Sequence, residues 1–313
     1  MIRIFKTENQ VLCELEKIEI GSWVCMTEPT EEEIRQTARE LSLDPRDLIN
    51  AVDPEEKNRV TMHEKYTLIL LDIPVDDIRH EEKHFATIPM GIILMDNYIL
   101  TICSRPTSLL EYFVEEGAET FTTKKRMRFV YQIMLRTSLM FQSDLRLIDK
   151  RRRAIEEHIE DISDEKDLIA LHELESTLVY FETSLRGNGN VLDRLSRYSG
   201  LQRYAEDKNM LEDVIIENQQ AIEMTTIYRD IIDGSRELIS SVMDLHLNNV
   251  MKRLTSLTVI LAIPTLISGL YGMNVDSEWV PLAKTVHGFG IITLIVVLIC
   301  VVLAIVLRKR KYL

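Results

Sequence analysis

Two sets of residues have types and spacings that could do chemistry. His80-Glu81-Glu82-Lys83-His84 spells HExxH, the pattern in which two histidines one helical turn apart hold zinc and the glutamate polarises a zinc-bound water. It lies in a short charged stretch between Pro74 and an alternating run, with no apolar helix to carry it. The expectation is therefore a solvated hairpin turn or loop, and no catalytic residues are identified. The second set is a stripe: Glu237, Ser241, Asp244, Asn248, Met251, Thr255, Thr258, Ala262, Thr265, Gly269 and Gly272 recur at alternating steps of four and three. No Leu, Ile or Val falls on it, while Leu257, Val259, Ile260, Leu261, Ile263 and Leu266 occupy the other faces. Such a face within a membrane either packs on another helix or lines a water-filled path. Its continuation into the carboxylates Asp244 and Glu237 favours the path, because copies around an axis would form anionic rings that concentrate cations.

The elements that must position the stripe are visible in the charge map. The chain has 313 residues and a net charge of −13. No Asp, Glu, Lys or Arg occurs between Arg253 and Asp276 or between Lys284 and Arg308, runs of 22 and 23 residues. About 20 apolar residues suffice to cross the hydrocarbon core. Residues 1–252 carry −17 and the remainder +4. Lys252 and Arg253 precede the first run and Arg308-Lys309-Arg310-Lys311 follow the second, which predicts that both ends are cytoplasmic. Nothing near Met1 resembles a cleaved signal. Cys13, Cys25, Cys103 and Cys300 are scattered and form no CxxC pair, so a disulfide framework is not expected and the soluble part should face a reducing compartment.

Ahead of the spans, Ile2 to Phe5, Tyr66 to Ile73, His84 to Leu94 and Tyr98 to Cys103 read as strands. Helices are predicted over Glu31 to Leu41, around Arg46 to Val52 and over Pro106 to Gly117, with Thr30 and Glu33 forming a capping box for the first. Leu168, Leu171, Leu174, Leu178, Phe181 and Leu185 keep helical spacing, and Arg152 with Glu156 and Arg153 with Glu157 suggest ion pairs on a solvated face. A helical hairpin with its tip near Asp161 to Lys166 follows, in which Gly187-Asn188-Gly189-Asn190 is a kink, a break or a left-handed turn. One helix is expected from about Tyr204 to Leu270, roughly 100 Å long. The organisation predicted is a cytosolic α/β domain (1–123), a cytosolic all-α hairpin (124–203), a stalk helix continuing into the first span (204–271), an outer loop (272–288), a second span (289–307) and a basic cytoplasmic tail (308–313).

Tyr271-Gly272-Met273-Asn274 closes the long helix, and here the chain resembles the CorA family of divalent-cation channels. The resemblance rests on Gly-Met-Asn at the outer end of the first of two C-terminal spans, on Asn248, Met251, Leu254 and Thr265 at pore-lining spacings, on the basic tail, and on the layout of the whole chain. It implies a homopentameric funnel in a cell membrane, with Gly272, Met273 and Asn274 at the mouth and passive entry of Mg2+, which would also regulate the cytosolic domain. It places Leu254 in the pore where the regular stripe selects Thr255. Asn274 would meet the ion through its hydration waters; Met273, a thioether, is expected to pack. Gly272 is expected to permit a sharp turn or a close approach to the axis. Pro264 lies one place later than in familiar members, Ala262 replaces a bulkier residue, and Asp276-Ser277-Glu278-Trp279 departs from their acidic loop; these differences bear on ion preference among Mg2+, Co2+, Ni2+ and Zn2+. The expected partners are the chain itself, the bilayer and divalent cations, not nucleic acid. Competing readings are a zinc transporter of the same superfamily and a membrane-tethered sensor or scaffold without flux.

Overall fold

The computed structural model describes all residues except 10, 80–81, 116–120, 158–164, 198–204, 275–280, 283–284, 311 and 313. It divides into two units, Met1–Ser235 and Arg236–Leu313.

The first unit is built on a seven-stranded sheet in the order β2-β1-β3-β7-β6-β5-β4. The strands are β1 (Ile2–Glu8), β2 (Val11–Leu15), β3 (Trp23–Thr27), β4 (Arg59–Met62), β5 (Tyr66–Arg79), β6 (Glu82–Met95) and β7 (Ile99–Cys103). Among the described residues only β3 and β7 pair in parallel. Both faces of the centre are covered, which is why β3 and β7 read as unbroken apolar runs rather than alternating ones. Val24, Met26, Leu68, Leu70, Leu100 and Ile102 face a core shared with α1 (Glu31–Leu41) and α2 (Pro45–Asn50). Trp23, Cys25, Ile69, Leu71, Met90 and Ile92 face the opposite core, with α3 (Ser108–Glu115) and α4 (Arg126–Glu156). There Trp23 meets Phe129 edge-on at 5.0 Å and donates its indole N–H to Thr101 Oγ1 at 2.9 Å. The predicted capping box is present: Glu33 N–H donates to Thr30 Oγ1, and Thr30 N–H to the Glu33 carboxylate.

The helices α5 (Glu165–Arg197) and α6 (Ala205–Tyr271) complete the set with α7 (Gly288–Lys309). Leu171, Leu174, Leu178, Phe181 and Leu185 are buried with Phe141, Leu145 and Ile148 of α4. The Gly187-Asn188-Gly189-Asn190 segment is continuous helix within α5, neither a break nor a left-handed turn. Its role follows from the sheet edge. β4 begins at Arg59, which pairs with Leu70, so the main chain of Asp72 lies past the end of its neighbour. Asn188 takes the vacant place, accepting from Asp72 N–H at 2.9 Å and donating to Asp72 O at 2.8 Å. A Cβ on Gly187 would lie 2.4 Å from Asn58 Nδ2, so a glycine is what lets α5 come this close.

The solvated charge face is corrected at one point. Arg152 does pair with Glu156, at 2.5 Å, but it is 7% exposed and also holds Asp149 at 2.8 Å. Arg153 pairs with Asp149 rather than Glu157. The helices crowd Arg152 while Arg153 stays exposed, and Asp149, inside the same turn, reaches both.

The HExxH residues His80 and Glu81 lie outside the described residues. The flanking register pairs Arg79 with Glu82, and His84 stands on β6, not on a helix. Among the described residues no group of three His, Cys, Asp or Glu is placed to hold a metal. Most of the predicted hairpin tip lies outside the described residues too.

Candidate cation pathway

Helix α6 runs for 67 residues without interruption, and its C-terminal part together with α7 makes up the second unit. Both helices contain stretches long and apolar enough to cross a membrane. From Asn248 onward, the positions of α6 that are not exposed are Lys252, Ser256, Ile260, Ile263, Pro264 and Ile267, at helical spacing. This seam faces α7. Ser256 Oγ donates to Tyr312 O at 3.1 Å and Cys300 Sγ to Ile260 O at 3.7 Å, while from the last residue of α6 Tyr271 OH donates to Pro281 O at 2.8 Å. Between these ties lies a groove of about 650 Å³, lined by Ile260, Pro264, Ile267, Phe289, Val296 and Cys300 among others. Its walls are almost wholly apolar and offer a cation nothing in exchange for water.

The stripe lies elsewhere. Glu237, Asp244, Asn248, Met251, Thr255, Thr258, Ala262, Thr265 and Gly269 are all exposed in the single chain. At 3.6 residues per turn their mean direction is about 150° around α6 from the seam. The chain's own second span therefore does not cover them. Leu254, 57% exposed, and Thr255 flank the stripe on opposite sides.

The threonines are oriented by their own helix. Thr258 Oγ1 donates to Leu254 O and Thr265 Oγ1 to Leu261 O, each at 2.9 Å. A hydroxyl whose proton is committed to the backbone presents only lone pairs outward. That is the polarity needed to receive hydrogen bonds from the waters around a cation.

At the C-terminal end of α6 Gly272 N–H still bonds Ser268 O at 2.9 Å, and its backbone is not left-handed. The chain turns at Gly272 without the left-handed backbone that only glycine readily adopts. A Cβ there would sit 3.3 Å from Ser268 O, a tight but local contact. Met273 is 56% exposed rather than packed within the chain, and Asn274 is exposed beside it. Sequence reasoning missed Ser256, Cys300 and the Tyr271 hydroxyl. Only Pro264 carried a signal for any of them, since a proline inside a helix leaves a carbonyl in want of a donor.

A family model described as CorA-like Mg2+ transporter protein matches residues 19–309. The chain belongs to this family. It is 26% identical over 294 residues to the cobalt/magnesium transport protein CorA of Methanocaldococcus jannaschii, covering 93% of this chain and 90% of that one. The complete structure of the CorA magnesium transporter from the same organism superposes with a TM-score of 0.83 at 23% identity, over 100% of this chain and 99% of that one. The cytoplasmic domain of ZntB from Vibrio parahaemolyticus matches with a TM-score of 0.61 at 12% identity, over 77% of this chain. The fold, an α/β part followed by long helices and two apolar C-terminal helices, is thus that of CorA, a membrane transporter of ions rather than an enzyme.

Proposed function

We propose that the chain assembles as a homopentamer and admits hydrated Mg2+ down its electrochemical gradient, along an axis lined by the stripe of α6. The observation that carries this reading is the exposed small and polar face of α6, turned away from α7 and leading to Gly272-Met273-Asn274. Long helices with one unpartnered polar face bury it by meeting copies of themselves, and symmetry then turns the face into a conduit. Asn248, Met251, Leu254, Thr255, Thr258, Ala262, Thr265 and Gly269 line it, with Asp244 and Glu237 at the cytoplasmic entrance. Both termini and the acidic first unit are cytoplasmic.

Mg2+ releases its water shell reluctantly. A ring of Asn274 carboxamides hydrogen-bonds the coordinated waters without stripping them, and a neutral ring holds the ion loosely enough to let it pass. The threonine oxygens receive the same waters farther in. A divalent ion crossing 100 mV gains about 4.6 kcal/mol, so no nucleotide is needed. Regulation by Mg2+ bound between subunits of the cytosolic domain fits the same assembly. The relatives named for cobalt and magnesium transport support Co2+ as a second permeant ion, and a zinc transporter of the same superfamily is the alternative reading.

Reconstitution in liposomes tests this. Mg2+ influx driven by an inside-negative potential, by particles of five subunits, is expected; a five-subunit particle conducting none of Mg2+, Co2+, Ni2+ or Zn2+ would leave a membrane-tethered sensor. Flux with each ion separately distinguishes the magnesium from the zinc reading.

A further inference from the structure

A backbone carbonyl facing hydrocarbon without a partner is costly, so transmembrane helices keep prolines only where a neighbour re-satisfies the freed group. Pro264 lies inside α6 and has no N–H. The carbonyl it deprives is that of Ile260, four residues earlier. Thr265, the next residue, does not help, because its hydroxyl donates to Leu261 O. The donor comes from α7: Cys300 Sγ lies 3.7 Å from Ile260 O, within reach for a sulfur donor. The other mildly polar residue of α7's apolar run, Thr293, donates to Phe289 O of its own helix at 2.9 Å. Cys300 spends its proton across the seam, on the one carbonyl that the proline left open.

We infer that Cys300 is a positioning residue for the permeation helix: its thiol ties the carbonyl that Pro264 leaves open in the first span to the second span. The segment beyond Pro264 carries Thr265, Gly269 and the Gly272-Met273-Asn274 mouth, so this contact fixes where those groups stand. Cys300 itself faces the seam and touches no ion. The link to transport rests on the function proposed above, whereas the hydrogen bond stands without it.

A double-mutant cycle on the full-length protein in liposomes or detergent tests the inference. Pro264→Ala returns an N–H that bonds Ile260 O within the helix, which makes the thiol redundant. Cys300→Val keeps the volume and removes the donor. In the native background Cys300→Val is expected to lower Mg2+ flux and the folded-to-unfolded ratio of the solubilised assembly by about threefold, the usual worth of one such bond in a membrane. On Pro264→Ala it should do nothing further, and Cys300→Ser, which retains a donor, should behave as the native protein. The S–H stretching band of Cys300, identified by its loss in Cys300→Val, should sit at the hydrogen-bonded frequency and move to the free one in Pro264→Ala. Equal losses in both backgrounds, or a band that does not move, would overturn the inference and leave Cys300 as packing. If no variant conducts, the function proposal fails, and the infrared and stability arms still decide this one.

Discussion

The two units of this chain solve opposite problems with the same residue types. In the first, Trp23, Phe129, Leu70 and Leu100 are sealed between the sheet and its helices, each at most 1% exposed. In the second, Leu294 and Leu298 are more than 60% exposed and no residue of α7 beyond Gly288 is buried. The first unit is a finished core; among the described residues the second has one seam, between α6 and α7, and leaves its other apolar faces and its polar stripe uncovered. Apolar content alone thus does not say where a residue sits. What differs is the medium that each unit is built to displace.

That contrast can be broken at several points. The largest effect is expected at the mouth: Asn274→Ala should reduce Mg2+ uptake to background while subunit count stays unchanged, and normal uptake by the variant would remove Asn274 from the pathway. Next comes the core. Phe129→Ala should cost about 3–5 kcal/mol, whereas Leu294→Ala, on a lipid-facing position, should leave thermal unfolding of the solubilised protein nearly unchanged; comparable losses would mean that α7 packs as a soluble core helix does. Asn188→Ala should cost about 1–3 kcal/mol by stranding the amide and carbonyl of Asp72, seen in denaturant unfolding. Replacing Glu237 and Asp244 together by Gln and Asn should lower conductance at low ionic strength and have little effect at high salt, where exposed charges are screened. The smallest effect concerns pH. Burial pushes the Asp72 carboxyl above its ordinary range, against hydrogen bonds from Ser184 and Asn58 that lower it. A raised carboxyl favours the folded state while protonated, and that advantage fades as pH rises through its folded value. Asp72→Asn should therefore raise the melting temperature near pH 7 and bring a smaller gain below the ordinary carboxylate range.

The sequence was most legible where one periodicity met one medium. The stripe on α6, the two apolar runs and the leucine seam of α5 each obey a single helical repeat, and the structure places the stripe residues on one exposed face. The strands β2, β3 and β4 were not read. β3, Trp23–Thr27, is covered on both faces and so lacks alternation, while β2 and β4 are the short edges of the sheet. Gly187 to Asn190 looks like a helix breaker because the partner that needs it, Asp72 of β5, lies more than a hundred residues earlier in the chain. Arg152 reads as solvated because its burial is set by neighbouring helices and not by its own. Cys300 was invisible for the same reason: its meaning depends on a proline in the other span.

The Asn188 hook carries a mechanical corollary. A side chain that stands in for a missing strand can do so at one register only, since sliding α5 by one residue would bring Gly187 or Gly189 to the same spot with no amide to offer. Sheet and hairpin are thereby indexed to each other like a key in a slot, and movement within the first unit has to come from bending its helices rather than from slippage of α5 along the sheet.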